Sequence, residues 1–167
     1  MTDKMTIEQR HRCMARIKGT DTKPEILVRK YLFAKGYRFS LHVKSLPCKP
    51  DIVLRKYKTV IMINGCFWHG HEGCPKYVVP KTNTQFWIDK ITRNRERDRK
   101  GELLLRMLGW HVVKIWECQL VPQKRQQTLL NLELTLNKLL LKNYGEQFNQ
   151  NIAAEGSVPY RKKITKP

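Results

Sequence analysis

Residues 65–75 read Gly65-Cys66-Phe67-Trp68-His69-Gly70-His71-Glu72-Gly73-Cys74-Pro75 and form the most informative stretch of the chain. Two thiols and two imidazoles fall within nine residues, around a pair of large aromatic rings. Thiolate sulfur and neutral imidazole nitrogen are the ligands that Zn²⁺ prefers. The stretch therefore predicts a loop stiffened by a metal ion, with aromatic side chains available to stack on a flat ligand such as a nucleobase.

The charge balance of the chain points to a polyanionic partner. The 167 residues carry a net charge of +19, with 33 Lys and Arg against 14 Asp and Glu. Residues 1–120 hold 25 of these basic residues and 11 of the acidic ones, so the excess is not confined to a tail. A basic surface on the folded part predicts nucleic-acid binding. Simple solubility and an acidic membrane surface are the alternatives.

Cysteine usage and hydropathy bear on the cellular compartment. No apolar run approaches the ~20 residues that a membrane span needs, and the N-terminus lacks the apolar core of a signal peptide. We therefore expect a cytoplasmic protein without a membrane partner, in which thiols stay reduced. The five cysteines are odd in number, which favours metal binding over a disulfide framework.

The hydrophobic pattern predicts the element order α-β-β-β-α-β-α. Thr22 can cap a first helix that runs to about Ala34, because Glu25 stands three residues later as a capping box requires. Strands are expected at 37–43, 51–54, 59–63 and 110–116, and helices at 85–108 and 122–142. This order is typical of a three-layer α/β domain with a mixed central sheet. Residues 1–142 should form that domain, with an arm at 1–20, and residues 143–167 a basic, disordered tail.

Four residues form a candidate zinc site. Cys66, His71 and Cys74 supply three ligands from one loop, and Cys118 follows the strand expected at 110–116. If that strand lies beside 59–63, both strand ends meet at one place. Four ligands of the Cys3His type make a closed structural zinc site rather than an open catalytic one. A set of buried, reduced cysteines in a polar loop is the alternative.

Three acidic residues and one histidine form a second candidate site. Asp51 opens a strand, where an Asp joined by another acid suits Mg²⁺. Glu25 could instead serve only the capping box, and Asp98 could simply balance the neighbouring arginines of residues 93–100. That basic run is either a solvated helical face or a DNA-facing edge. His69 favours the catalytic interpretation, because an imidazole can take a proton from water at neutral pH.

Seven motifs occur in order between about residues 8 and 120. They are Met14-Ala15-Arg16-Ile17, Asp21-Thr22-Lys23-Pro24-Glu25, Leu46-Pro47-Cys48-Lys49-Pro50-Asp51, Gly65-Cys66-Phe67-Trp68-His69, Phe86-Trp87-Ile88-Asp89-Lys90-Ile91, Asn94-Arg95-Glu96-Arg97-Asp98, and Leu108-Gly109-Trp110 through Trp116-Glu117-Cys118. Together they resemble the very short patch repair (Vsr) endonucleases, bacterial enzymes that nick DNA beside T:G mispairs. The last 45 or so residues carry no comparable motif.

The resemblance implies a fold, two metals and a mechanism. The fold is a restriction-endonuclease-like α/β core with a structural zinc. Asp51 would be the direct Mg²⁺ ligand, assisted by the backbone carbonyl of Ile63. His69 would activate water, and Glu25 would hold the water of the metal or orient His69. Asp98 is a further catalytic candidate.

The resemblance also implies how DNA is held. Phe67, Trp68 and Trp87 would enter the base stack beside the mispair, and Met14 would approach from the minor groove. Wedging costs a few kcal/mol of unstacking, least at a mispaired step. Three more DNA-binding candidates lie on the long helix, namely Asn94, Arg95 and Arg97.

One position departs from the family pattern. The best-known members have a second histidine immediately before the Gly-Cys-Phe-Trp motif, where this chain has Asn64. An amide can donate a hydrogen bond to a phosphate or leaving oxygen, but it cannot be a cation or shuttle a proton. Asn64 therefore stays a catalytic candidate with a changed role.

Three hypotheses follow. The first is an Mg²⁺-dependent endonuclease that nicks mismatched double-stranded DNA as a monomer, with mismatch-repair proteins or a DNA cytosine methyltransferase as further partners. The second is a restriction-type endonuclease that cuts intact sites. The third is a zinc-stabilised DNA-binding module without catalysis, which would have no use for His69 paired with Asp51.

Overall fold

The computed structural model describes Thr6, Glu8, Gln9, Arg12 and residues 19–155, with side chains up to residue 146. Three α-helices and three strands carry the fold between residues 19 and 155. In chain order these are α1 (Lys23–Ala34), β1 (Ile52–Leu54), β2 (Thr59–Asn64), α2 (Thr84–Met107), β3 (His111–Trp116) and α3 (Pro122–Glu155). Short 3-10 turns, Arg55–Tyr57 and Glu117–Gln119, follow β1 and β3.

The sheet is mixed, as the sequence predicts. β2 lies in the centre, antiparallel to β1 and parallel to β3. All of β2 is buried, which fits a strand covered on both faces. Because β2 and β3 are parallel, with Asn64 opposite Trp116, the two segments that follow them leave the sheet side by side. This edge is where the candidate sites are found.

Helices cover both faces of the sheet. On one face, Leu32 of α1 and Leu136 of α3 pack against Ile61, and all three side chains are fully buried. On the other face, Leu105 of α2 packs against Val60. Burying a leucine side chain of this kind stabilises the fold by about 1.5–3 kcal/mol. None of the described helices combines the length and apolar character that crossing a bilayer requires.

The start of α1 is confirmed as predicted. Thr22 has extended backbone (φ −69°, ψ 156°) and directly precedes the helix, with Pro24 in the first turn. Its backbone N–H donates to the Glu25 carboxylate at 3.4 Å, which is the reciprocal bond of a capping box. Gly36 takes the left-handed conformation just past the helix end, at φ +84°.

The prediction of a strand at 37–43 is wrong. Ser40 alone pairs with Val53, as an isolated antiparallel bridge. His42 has φ +44°, a left-handed conformation that breaks an extended run. The alternation of apolar residues still reports burial, since Tyr37 belongs to the core and Phe39 packs against it.

The C-terminal helix is longer than predicted. α3 continues to Glu155, so residues 143–155 are helical and not part of a disordered tail. No proline occurs between Pro122 and the end of the helix at Glu155. The Asn143 side chain donates to the Tyr57 carbonyl at 3.0 Å and lies 3.2 Å from the His111 ring, which fixes the helix at the point where the tail was expected. The rest of the expected tail and most of the N-terminal arm lie outside the described residues.

Candidate active site and metal centre

The predicted soft-ligand cluster forms at the shared edge of β2 and β3. The donor atoms of Cys66, His71, Cys74 and Cys118 all lie within 4.8 Å of one another. The Cys118 sulfur is 3.4 Å from Nδ1 of His71. Sulfurs bound tetrahedrally at about 2.3 Å from zinc stand roughly 3.8 Å apart, so these donors have the type and spacing that a metal ion needs.

Backbone hydrogen bonds and close packing hold the loop in place. The His71 N–H donates to the Cys66 carbonyl at 2.9 Å, and the His71 ring stacks flat on Trp116 with centroids 4.0 Å apart. Gly70 has φ +60°, and a Cβ there would come within 2.9 Å of the Ile91 side chain. Only glycine lets the loop press this closely against α2.

The thiols of this cluster differ in how easily they ionise, and burial makes ionisation of Cys66 unfavourable. It raises the pKa of the fully buried Cys66 to about 12. The pKa of Cys74 is lowered, chiefly by a hydrogen bond from the Lys76 backbone N–H. A bound cation supplies the positive charge that favours the thiolate. The cluster could therefore hold a metal ion that also completes the folding of the loop.

A cleft of about 1210 Å³ gathers the second set of candidates. Its walls come from α1, the segment before β1, the end of β2, the loop after β2, α2 and the segment after β3. The predicted site residues that line it are Glu25, Asp51, Ile63, Asn64, Trp68, His69, Asn94, Arg97 and Asp98. Met14, the other DNA contact expected on the N-terminal arm, lies outside the described residues.

The Asp51 side chain, just before β1, is held by a hydrogen bond to β2. Oδ2 accepts the Ile63 backbone N–H at 2.7 Å. Burial raises the pKa of Asp51, the Ile63 hydrogen bond opposes this, and the nearby Glu25 charge adds to the rise. The N–H and C=O of a strand residue point to the same side, so the Ile63 carbonyl faces Asp51 as well. Hard oxygen donors in this arrangement suit Mg²⁺.

His69 and Asp98 form a pair within the cleft. Nδ1 of His69 is hydrogen-bonded to the Asp98 carboxylate. Because an ionised carboxylate only accepts, Nδ1 carries the proton and Nε2 keeps the lone pair. Asp98 also lies 3.7 Å from the Arg97 guanidinium, so it balances a neighbouring charge as well. The arrangement leaves Nε2 able to take a proton from water.

The three predicted wedge residues form one half-buried aromatic cluster. The ring centroid of Phe67 lies 5.2 Å from that of Trp68 and 5.3 Å from that of Trp87. Phe86 extends the cluster at 5.3 Å from Trp87 and is 51% exposed. The Lys90 ammonium stands 5.5–5.6 Å from three of these rings. Phe86 and Lys90 lie in one of the seven motifs, but no DNA-binding role was predicted for them, although their spacing of four residues places them on one face of a predicted helix.

The three polar DNA-binding candidates on α2 are placed differently. Asn94 donates to the Trp68 carbonyl at 3.0 Å and so braces the aromatic loop. Arg97 lines the cleft and its side chain is 68% exposed. Arg95 pairs with Glu72 at 2.6 Å and lines a separate cavity of about 550 Å³ behind His69. Asn64 is buried and lines both the cleft and that cavity.

Two residues next to Glu25 were not singled out from the sequence. Arg29 donates to the Glu25 carboxylate at 2.6 Å and to Nε2 of His42 at 3.0 Å. The i,i+4 spacing of Glu25 and Arg29 on a predicted helix could have indicated the first contact. No sequence signal indicates His42, because it lies in an irregular segment.

Comparisons with known proteins agree with this arrangement. A family model described as DNA mismatch endonuclease Vsr matches residues 2–76. The Type II nicking enzyme V.NmeAIP of Neisseria meningitidis serogroup A is 52% identical over 120 residues, which cover 72% of this chain and 85% of that protein. V.XorIIP of Xanthomonas oryzae pv. oryzae is 43% identical over 120 residues, 72% of this chain and 88% of its own. DNA mismatch endonuclease Vsr of Escherichia coli K12 is 42% identical over 111 residues, 66% of this chain and 70% of its own.

These relatives confirm the resemblance drawn from the sequence motifs. They also fit a cleft in which oxygen donors stand beside a histidine, since nucleases of this kind use divalent metal ions. The chain is a DNA endonuclease of the nicking type, and it belongs to the Vsr family of DNA mismatch endonucleases.

Proposed function

We propose that this endonuclease nicks one strand of double-stranded DNA next to a T:G mispair, by Mg²⁺-dependent hydrolysis, and so starts very short patch repair. One observation carries the proposal. A single cleft holds Asp51, the Ile63 backbone and the hydrogen-bonded pair His69–Asp98, and Trp68 of the aromatic cluster lies on its wall. Relatives named as a mismatch endonuclease and as nicking enzymes support the reaction class.

Asp51 and the Ile63 carbonyl would hold the Mg²⁺ ion. Only Oδ2 of Asp51 is engaged with Ile63, so the carboxylate keeps capacity for a cation. Burial raises the pKa of Asp51, and a cation placed beside it would favour the ionised form. When bound, Mg²⁺ supplies charge stabilisation to the phosphate and acidifies a water molecule.

His69 would act as the general base. Nε2 accepts a proton from the attacking water while Asp98 keeps the ring in the required tautomer and stabilises the imidazolium that forms. Asn64 would donate a hydrogen bond to a phosphate or leaving oxygen from its position on the cleft wall. Glu25 would orient a water molecule beside Asp51.

The aromatic cluster would provide mismatch selectivity. Insertion of Phe67, Trp68 and Trp87 between base pairs costs least where stacking is already weakened by a mispair. Asn94 supports this role because it holds the Trp68 carbonyl. Arg97 would neutralise a phosphate beside the cleft.

The Cys/His cluster would hold a structural zinc ion on a restriction-endonuclease-like core. Four protein ligands close the coordination sphere and leave no position for a substrate. Three of its four ligands lie in the loop that also carries Phe67, Trp68 and His69. Zinc would therefore fix the wedge and the general base relative to the sheet.

A nicking assay tests the proposal. Two end-labelled duplexes differ only in one T:G or C:G pair, and each is incubated with Mg²⁺ or with EDTA. We expect cleavage of the T-bearing strand of the T:G duplex only, and only with Mg²⁺. Equal cleavage of both duplexes would favour a restriction-type enzyme. Salt-dependent binding without cleavage would favour a DNA-binding module and reject the proposal.

A further inference from the structure

Arg29 lies at the centre of a polar cluster behind the proposed Mg²⁺ site. It stands one turn after Glu25 on α1, and its side chain is only 11% exposed. Nη2 is 2.6 Å from Oε2 of Glu25 and 3.0 Å from Nε2 of His42, and Nη1 contacts the Asp21 carboxylate. Each of the two Nη atoms therefore contacts a carboxylate, and Nη2 also contacts a histidine ring.

The donors around this guanidinium are of the kind that bind a divalent cation. Carboxylate oxygens of Asp21 and Glu25 and a ring nitrogen of His42 all lie within 4.8 Å of one another. The Arg29 guanidinium contacts all three side chains, as a bound metal cation would. Because a guanidinium cannot lose its proton in a protein and only donates, it is a permanent positive charge, and His42 must offer it a lone pair.

The cluster also fixes the Glu25 carboxylate. Oε2 accepts the Asp21 N–H at 3.0 Å in addition to Arg29, and Oε1 accepts the Thr22 hydroxyl at 2.8 Å. Glu25 is 3% exposed and shares the cleft with Asp51. With both oxygens engaged and one paired to an arginine, Glu25 has little free charge or mobility to offer a metal ion directly.

We propose that Arg29 is a positioning residue, a built-in cation that neutralises and fixes Glu25 so that Mg²⁺ binds through Asp51. Glu25 then orients water instead of competing for the metal. This inference rests on the proposed Mg²⁺ site at Asp51. It assigns to α1 a role in the reaction beyond packing on the core.

The substitution Arg29→Gln tests the inference in the DNA-free protein. Mn²⁺ serves as the probe, since it prefers the same oxygen ligands and free Mn²⁺ is counted by electron paramagnetic resonance. Loss of the fixed cation removes the positive charge from beside Glu25 and His42, so the Kd for Mn²⁺ should fall by about threefold to tenfold. Nicking at saturating Mg²⁺ should fall by about tenfold or more, because Glu25 is no longer held in place. A residue that only supports folding would not tighten metal binding.

Two variants complete the design. Lys30→Gln removes one positive charge from an exposed position of the same helix, and both readouts should stay within about twofold of wild type. Arg29→Lys keeps the charge without the fork, so Mn²⁺ affinity should be retained while nicking falls. Melting curves show which variants are folded. If Arg29→Gln does not fold, Arg29→Lys decides, and wild-type nicking in that variant overturns the inference.

The outcomes separate this inference from the proposed function. Unchanged or weaker Mn²⁺ binding in folded Arg29→Gln rejects the role of Arg29. Retention of Mn²⁺ binding and nicking in Asp51→Ala rejects the metal site itself. If Asp51→Ala abolishes Mn²⁺ binding but Arg29→Gln leaves it unchanged, the proposed function stands and only the role of Arg29 is rejected.

Discussion

The Cys/His cluster and the acidic cleft lie close together but are built in opposite ways. Three of the four cluster ligands come from nine residues of one loop, and the fourth follows the neighbouring parallel strand. The predicted site residues of the cleft come from five segments between Glu25 and Asp98. A cluster built this locally forms once two strands pair, whereas the cleft exists only when the whole domain is folded.

The two regions also differ in how their polar atoms are used. Cluster donors lie within 4.8 Å of one another, which leaves them for a single shared metal ion. In the cleft, Asp51 has one oxygen bonded to Ile63, and His69 has one nitrogen bonded to Asp98. A closed soft-ligand site favours stability, and an open site with free lone pairs favours chemistry.

The substitution Cys66→Ser should have the largest effect. If the cluster holds zinc as proposed, its loss should remove several kcal/mol of folding free energy, which is comparable with the total stability of a domain, and abolish cooperative melting. Calorimetry and zinc analysis check this, with Cys48→Ser as a control because Cys48 is an exposed cysteine outside the cluster. Wild-type zinc content and melting in Cys66→Ser would show that the loop needs no metal.

The substitution Asp51→Ala should separate the cleft from the cluster. Nicking should fall by about 10³-fold or more, because the proposed Mg²⁺ ligand is gone, while zinc content and DNA affinity stay within about twofold. Single-turnover nicking and fluorescence anisotropy measure these quantities. A variant that still nicks at a comparable rate would remove Asp51 from the mechanism.

The substitution Asp98→Asn should have an intermediate effect. Without a carboxylate on Nδ1, the His69 ring can adopt the wrong tautomer, and nicking should fall by about 10²-fold with the Mg²⁺ requirement unchanged. The neighbouring substitution Arg97→Gln is the control for the lost ion pair at 3.7 Å. Both variants are compared at saturating DNA, so that loss of the proposed phosphate contact of Arg97 is not counted. If both then lose activity equally, Asp98 acts through charge balance and not through His69.

The substitution Asp51→Asn should stabilise the metal-free fold slightly. Burial raises the pKa of Asp51, so ionisation of this group destabilises the metal-free fold as pH rises through that pKa. The amide removes this cost, and the Tm at pH 7.5 without Mg²⁺ should rise by about 2 °C. Below about pH 4 the Asp51 carboxyl is protonated in both the folded and the unfolded state, and the difference in Tm should vanish. The exposed Asp89→Asn is the control, and a pH-independent difference would contradict the assignment.

Sequence reasoning succeeded where the relevant contacts are local or follow from strand pairing. The four cluster residues were found because their spacing fits a metal and because parallel strand ends meet at one edge. Asp51 and His69 were grouped from residue chemistry alone, but their separate roles came from the family motifs, since nothing in the local pattern assigns roles to two residues that far apart. Their catalytic roles stay predictions.

The remaining differences between the sequence-based predictions and the structure depend on tertiary contacts, which a local sequence pattern does not report. The strand expected at 37–43 does not form, since His42 adopts left-handed backbone and its ring contacts Arg29, a contact that no local pattern reports. Arg95 pairs with Glu72 and lines a second cavity, a placement that depends on how α2 is rotated against the sheet, and its contact with DNA stays a prediction. The helix beyond residue 142 is long because Asn143 is anchored to the domain.

Two metal ions with different roles are proposed: zinc would stabilise the loop after β2, and Mg²⁺ would support hydrolysis of the DNA strand. Protein prepared without Mg²⁺ should be assayed for bound zinc and for nicking of the T:G duplex while Mg²⁺ is titrated. We expect one zinc per chain at every point and a nicking rate that rises from zero with Mg²⁺ alone. Nicking without added Mg²⁺, at a rate that follows the zinc content, would contradict the account.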